Sequence, residues 1–179
     1  MNAVVHIHDL SFAPFLSQST IQTRIKEIAL QLDAQYAGKD PVFLAVLNGA
    51  FMFASDLFKC LQCQPELSFV KVSSYMGTQS TGRVDELIGL QTRLQNRHVV
   101  VIEDILDTGV TMDKIFTLLQ SEQPASIAIC TLLMKPSSYK GKHQPQFVGF
   151  EIEDRFVVGY GLDYKERGRE LPAVYQLIQ

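Results

Sequence analysis

Apolar residues recur along this chain in two alternating rhythms. At Ile21, Ile25, Ile28 and Leu32 they return every three or four positions, the spacing of one helical face, with Ser19 or Thr20 placed to cap the start and Gly38 to stop it. Residues 41–47 form a short apolar run that ends at Asn48 and Gly49, and a helical pattern resumes over residues 51–61. Strand, tight turn and helix are the reading. Residues 67–75 alternate as a strand, residues 77–82 are a loop of small residues, and residues 99–102 are an apolar strand followed by a helix from Met112 to about Leu119. Residues 126–134 spell another strand. After a loop with Pro136, Gly141 and Pro145 come two short strand-like runs, residues 147–152 and 156–160.

Apolar strands that alternate with helices predict an α/β fold with a mainly parallel central sheet flanked by helices. In such sheets, ligands sit where loops leave the carboxyl ends of the strands. A length of 179 residues suits one core, so residues 1–179 are read as a single domain.

Composition narrows the function classes. With 46% hydrophobic and 20% charged residues, the chain reads as soluble and globular, and a formal charge of −3 argues against a broad basic grip on nucleic acid. The first ten residues carry His6, His8 and Asp9 where a secretion signal needs an apolar run, and no segment has the length and apolarity to span a membrane. A cytoplasmic protein is expected. Cys60 and Cys63 have the spacing of half a zinc site, but no second half follows and Cys130 stands alone, so ordinary reduced thiols are the reading. His6 and His8 could share one strand face as metal ligands, and a solvated pair is the simpler account.

The chemistry concentrates after residues 99–102, where Glu103 and Asp104 lead through Ile105 and Leu106 to Asp107, Thr108, Gly109, Val110 and Thr111 at a helix start. Gly109 permits a close turn, and loop amides, the helix N-terminus and two threonine hydroxyls can surround a phosphate. The segment lacks the Gly-Lys-Ser/Thr of a triphosphate loop and the spaced glycines of a dinucleotide site. Adjacent carboxylates beside a phosphate suit the vicinal hydroxyls of a ribose, with Asp107 left for proton transfer. The alternative is that these acids only favour the helix N-terminus through its dipole.

The same segment resembles the phosphoribosyl pyrophosphate motif of the type I phosphoribosyltransferases, and the likeness extends to the hypoxanthine-guanine branch of that family. It continues through Leu47, Asn48 and Gly49, through residues 74–82, through Lys135, and through residues 147–164. The resemblance implies that family's fold, with a small hood built from the chain ends. It implies transfer of a phosphoribosyl group to hypoxanthine or guanine, with Mg2+ as cofactor and a homodimer or homotetramer as the working form.

Carried over position by position, the resemblance places the 5'-phosphate on Asp107, Thr108, Gly109, Val110 and Thr111. Glu103 and Asp104 would hold the ribose hydroxyls, directly or through magnesium, and Asp107 would take the purine N7 proton. Lys135 would donate to the exocyclic O6, Phe156 would stack on the base and Val157 would pair through its backbone. A donor fixed on O6 would face the amino group of adenine unpaired, at a cost of about 1 to 3 kcal/mol. Asp163 would hold magnesium beside the pyrophosphate, which Arg169 and the loop Leu47, Asn48 and Gly49 would approach, the peptide of that loop often being cis in the family. Ser74 and Tyr75 begin a lid. Asn48 and Val110 stand where several relatives carry lysine, which leaves backbone donors as the contacts at those points. Two rivals remain open: a xanthine-accepting enzyme, and a non-catalytic sensor of phosphoribosyl pyrophosphate.

Overall fold

The computed structural model describes residues 3–76 and 83–178, with the backbone alone at 73–76 and 83–88. The lid glycines Gly77 and Gly82 lie outside the described residues, as do the side chains of Ser74 and Tyr75. The strands, in chain order, are β1 (Val5–Ile7), β2 (Leu10–Leu16), β3 (Val42–Val46), β4 (Glu66–Met76), β5 (Arg83–Ile88), β6 (His98–Leu106), β7 (Ser126–Met134), β8 (Phe147–Glu151), β9 (Val157–Val158) and β10 (Val174–Leu177). Three helices join them: α1 (Gln18–Tyr36), α2 (Phe51–Phe58) and α3 (Val110–Ser121).

Among the described residues, one sheet runs in the order β5-β4-β3-β6-β7-β8. Its members from β4 to β8 pair in parallel, and β5 adds an antiparallel edge to β4. Both faces are covered. Val100 and Ile102 of β6 pack into a core with α1 and α2, while Val99 and Val101 pack with Met112, Ile115 and Leu119 of α3. A strand buried on both faces reads as a continuous apolar run, which is why β3 and the start of β6 carry no alternation. A second, antiparallel sheet in the order β1-β2-β10-β9 joins the two chain ends into the hood that the resemblance implied. No helix of the described residues is long and apolar enough to cross a membrane.

Several boundaries differ from the sequence reading for physical reasons. Helix α1 is capped by Ser17, whose hydroxyl accepts from the Thr20 amide, rather than by Ser19 or Thr20. Strand β6 continues past Ile102 to Leu106 because β7 keeps pairing with it as far as Met134. Its pairing with β3 ends at Ala45 and Ile102, so beyond that point one edge of β6 is free. Helix α2 stops at Phe58, and β9 keeps only two residues of the run 156–160. All three cysteines are free thiols; burial, reinforced by Asp33, pushes the Cys63 thiol up to about 11. His6 bonds Ser11 and His8 bonds the Lys165 carbonyl, so the two imidazoles have separate partners.

Candidate functional site

The chain leaves β3 toward β4 on one side of the sheet and leaves β6 toward β7 on the other. This reversal opens a crevice at the carboxyl ends of β3 and β6. A cavity of about 240 Å³ lies there, lined by Glu103, Asp104, Asp107, Thr108, Gly109 and Thr111 among others. Six of the predicted residues therefore converge on one space.

Gly109 caps α3 with a φ of 89°, a conformation that favours glycine. A β-carbon there would also lie 2.6 Å from the Gly141 backbone, so the loop needs glycine for room as well as for angle. The Lys140 amide donates to the Thr108 carbonyl at 3.0 Å and the Lys142 amide to Asp113 at 2.9 Å, so the segment after β7 braces the turn. No side chain caps α3, and the first amides of a helix have no acceptor within it. They are suited to an anion. The Val110 side chain is exposed and is not part of the cavity lining, so only its backbone can serve the predicted role.

On the free edge of β6, Glu103 and Asp104 form a coupled acid pair. Burial pushes the Glu103 carboxyl well above the usual carboxylate range, and the charge of Asp104 acts in the same direction. Burial raises Asp104 too, against the hydrogen bonds from Glu103 and the backbone and the pull of Arg169. Among the described residues, Glu103 Oε2 is a buried oxygen without a hydrogen-bond partner. An orphaned carboxylate oxygen beside a second carboxylate is a donor set that fits magnesium, which takes hard oxygen ligands.

The peptide between Leu47 and Asn48 is cis, as the resemblance implied, and Gly49 lies against Asp104. Arg169 donates to the Gly161 carbonyl at 2.8 Å and pairs with Asp163 at 2.7 Å. Asp163 also accepts from the Glu166 amide. Among the described residues no three His, Cys, Asp or Glu side chains gather as a metal cage, so Glu103, Asp104 and Asp163 do not form one protein-only site.

Beside the cavity, the 6% exposed Lys135 donates from Nζ to Asp107 Oδ2 at 2.7 Å and pairs with Asp154 Oδ1 at 3.1 Å. Burial favours the neutral amine, but the hydrogen bonds and charges of Asp107 and Asp154 outweigh it and hold the ammonium above its ordinary range. Phe156 is 42% exposed, T-shaped against Tyr164 and tilted against Phe12, so it is not a core aromatic. Val157 lies opposite Gln176, between the bonded positions at Phe156 with Leu177 and at Val158 with Tyr175. Antiparallel alternation therefore turns the Val157 amide and carbonyl away from β10. Asp154 stands in a charged run, Glu151 to Arg155, that reads in sequence as a solvated face; its place two residues before Phe156 is the signal that marks it.

Similarity to known proteins points to one family. The family model described as "Phosphoribosyl transferase domain" matches residues 16–165. The hypoxanthine-guanine-xanthine phosphoribosyltransferase of Tritrichomonas foetus is 42% identical over 159 residues, 88% of this chain and 87% of that protein. The hypoxanthine-guanine phosphoribosyltransferase of Bacillus subtilis is 41% identical over 168 residues, 93% of each. A crystal structure of a hypoxanthine phosphoribosyltransferase from Staphylococcus aureus matches with a TM-score of 0.85 at 41% identity, covering 99% of this chain and 98% of that one.

Proposed function

The chain belongs to the phosphoribosyltransferase family, and from that premise we propose that it transfers the phosphoribosyl group of phosphoribosyl pyrophosphate to hypoxanthine or guanine. The products are IMP or GMP and pyrophosphate, a step of purine salvage. The observation that carries the reading is the direct bond between Asp107 and Lys135, a proton acceptor and a fixed donor set side by side. That spacing suits the N7 and O6 edge of a 6-oxopurine.

In this mechanism the α3 N-terminus, Thr108 and Thr111 hold the 5'-phosphate while Glu103 and Asp104 face the ribose hydroxyls. Magnesium, when bound, offsets negative charge on the pyrophosphate; Glu103 and Asp104 would hold it, with Asp163 next to the departing group. The loop Leu47, Asn48 and Gly49 and the Arg169 guanidinium serve the pyrophosphate side. Phe156 stacks on the base, the Val157 backbone pairs with its edge, and Lys135 donates to O6. As purine N9 forms its bond to the anomeric carbon, the bond to pyrophosphate breaks and the N7 proton passes to Asp107. Ser74 and Tyr75 begin the segment that excludes water. The same reading takes residues 1–179 as one domain acting in the cytoplasm as a homodimer or homotetramer, with sedimentation as the check on assembly.

Pyrophosphate release is the test, with phosphoribosyl pyrophosphate, magnesium and hypoxanthine, guanine, xanthine or adenine in turn. Turnover on hypoxanthine and guanine that collapses in Asp107→Ala is expected. Binding of phosphoribosyl pyrophosphate without turnover on any base would make the protein a sensor.

A further inference from the structure

Lys135 is held by two carboxylates, and the proposed reaction uses only one of them. The lysine side chain is 8% exposed, whereas Asp107 is 47% and Asp154 62% exposed. The buried stem brings the ammonium against these two acids, which supply part of its solvation. An ammonium has three N–H donors. Asp107 takes one of them in a hydrogen bond and Asp154 pairs with the charge at 3.1 Å, which leaves donor capacity for a base oxygen.

The lysine backbone is fixed independently of these acids. Its amide donates to the Leu106 carbonyl, and its carbonyl accepts from the Ser138 and Tyr139 amides. The carboxylates therefore set only the position of the side-chain tip. The Ser138 hydroxyl, from the turn that follows Lys135, acts with Lys135 to hold the Asp154 carboxyl below its ordinary range. It lies in the link between β8 and β9, two residues before the exposed Phe156.

Resting on the phosphoribosyl-transfer reading, we infer that Asp154 is a positioning residue for recognition of the 6-oxo group, acting through Lys135. Asp154 shares the ammonium with Asp107, which keeps a carboxylate oxygen available to the purine N7 proton while Lys135 gives an N–H to O6. With Asp154 neutral, Asp107 is the one anion left paired with the ammonium, and their attraction is unshared. The N7 acceptor and the O6 donor are then spent on each other. The same contact ties the link that carries Phe156 to the end of β7, so the stacking ring and the O6 donor are placed by one side chain.

Steady-state assays on the full chain with magnesium and phosphoribosyl pyrophosphate test this. Wild-type turnover on hypoxanthine is measured first, and its absence removes the phosphoribosyl-transfer premise itself. Given turnover, Asp154→Asn raises the KM for hypoxanthine about fivefold to tenfold, with the KM for phosphoribosyl pyrophosphate unchanged. Inhibition by unsubstituted purine, which has no oxygen at C6, stays at its wild-type strength. Asp154→Glu, which keeps the charge, restores most of the loss. A wild-type KM for hypoxanthine in Asp154→Asn overturns the inference, and so does an equal weakening of unsubstituted purine, which marks a general structural role.

Discussion

Gly49 lies so close to Asp104 that a β-carbon on the glycine would fall 1.6 Å from Asp104 Oδ2. A β-carbon on Gly161 would in turn lie 2.0 Å from the Gly49 carbonyl oxygen. Three elements that are distant in sequence, the loop after β3, the end of β6 and the turn after β9, thus meet with no room for a methyl group. Gly49→Ala forces the Asp104 carboxyl out of the cavity or the loop away from it. Displacements of this order at a reacting centre cost roughly 100-fold, so kcat/KM for phosphoribosyl pyrophosphate should fall by about that factor. The KM for hypoxanthine, read on the other side of the cavity, should move far less.

The turn that carries Gly161 is anchored by Tyr160. Its buried hydroxyl donates to Asp56 Oδ2 on α2 at 2.7 Å, and Gln22 of α1 donates to the same oxygen at 2.5 Å. Tyr160→Phe removes one bond to a charged acceptor, worth about 1.5–3 kcal/mol, and Tm should drop by roughly 3 to 12 °C. The effect depends on pH with a definite sign. Burial pushes Asp56 up, yet Lys59, Tyr160 and Gln22 together hold it below its ordinary value. Its contribution is therefore complete above the unfolded carboxylate range, near 4, and is lost as pH falls through the depressed folded value. Melting of wild type and Tyr160→Phe should differ most at neutral pH and converge in acid.

Much of this arrangement was legible in the chain because it rests on local rules. Ser126–Met134 is a strand to the residue, since its apolar run is long and bounded by polar turns. The α1 face was readable from Ile21, Ile25, Ile28 and Leu32, all fully buried. The edge strand β5 and the hood strands β1, β2 and β10 were not read as strands. They are short or carry mixed polarity, and they exist through partners far along the chain, as β2 does through β10. At the site, Asp107 and Lys135 could be named from sequence, but not that they would touch each other, because 28 positions separate them. The orphaned oxygen of Glu103 was likewise invisible: burial is a property of the packed sheet, not of the dipeptide.

Glu103 offers a second kind of prediction, in which stability and activity move in opposite directions. A buried polar atom without a partner costs about 1–3 kcal/mol, and Glu103 Oε2 is such an atom. Glu103→Gln keeps the shape and puts no ionisable group beside Asp104, which relieves the repulsion that the pair carries, so in chelator its Tm should match or exceed wild type, by roughly 2–4 °C for each kcal/mol recovered. Adding magnesium with phosphoribosyl pyrophosphate should stabilise wild type more than the variant, and the variant should need more magnesium for half-maximal turnover. Equal magnesium responses in melting and in kinetics would remove Glu103 from the proposed metal site.

Lys135 decides which bases are accepted. In Lys135→Met the buried stem keeps its packing, while the charge-assisted donor to O6 is lost, worth about 1.5–3 kcal/mol or roughly 10- to 150-fold in kcat/KM. Hypoxanthine and guanine should suffer that loss. Adenine should not, because its amino group at C6 no longer faces an ammonium, so the ratio of hypoxanthine to adenine turnover narrows from the hypoxanthine side. Lys135→Arg separates charge from geometry: it retains a cation for Asp107 and Asp154, but a planar fork cannot occupy a position built for a point donor held at 2.7 and 3.1 Å. If charge alone set the preference, Arg would preserve it. The two-carboxylate seat requires instead that Arg lose activity on hypoxanthine nearly as fully as Met, which competition between hypoxanthine and adenine in a single assay reads directly.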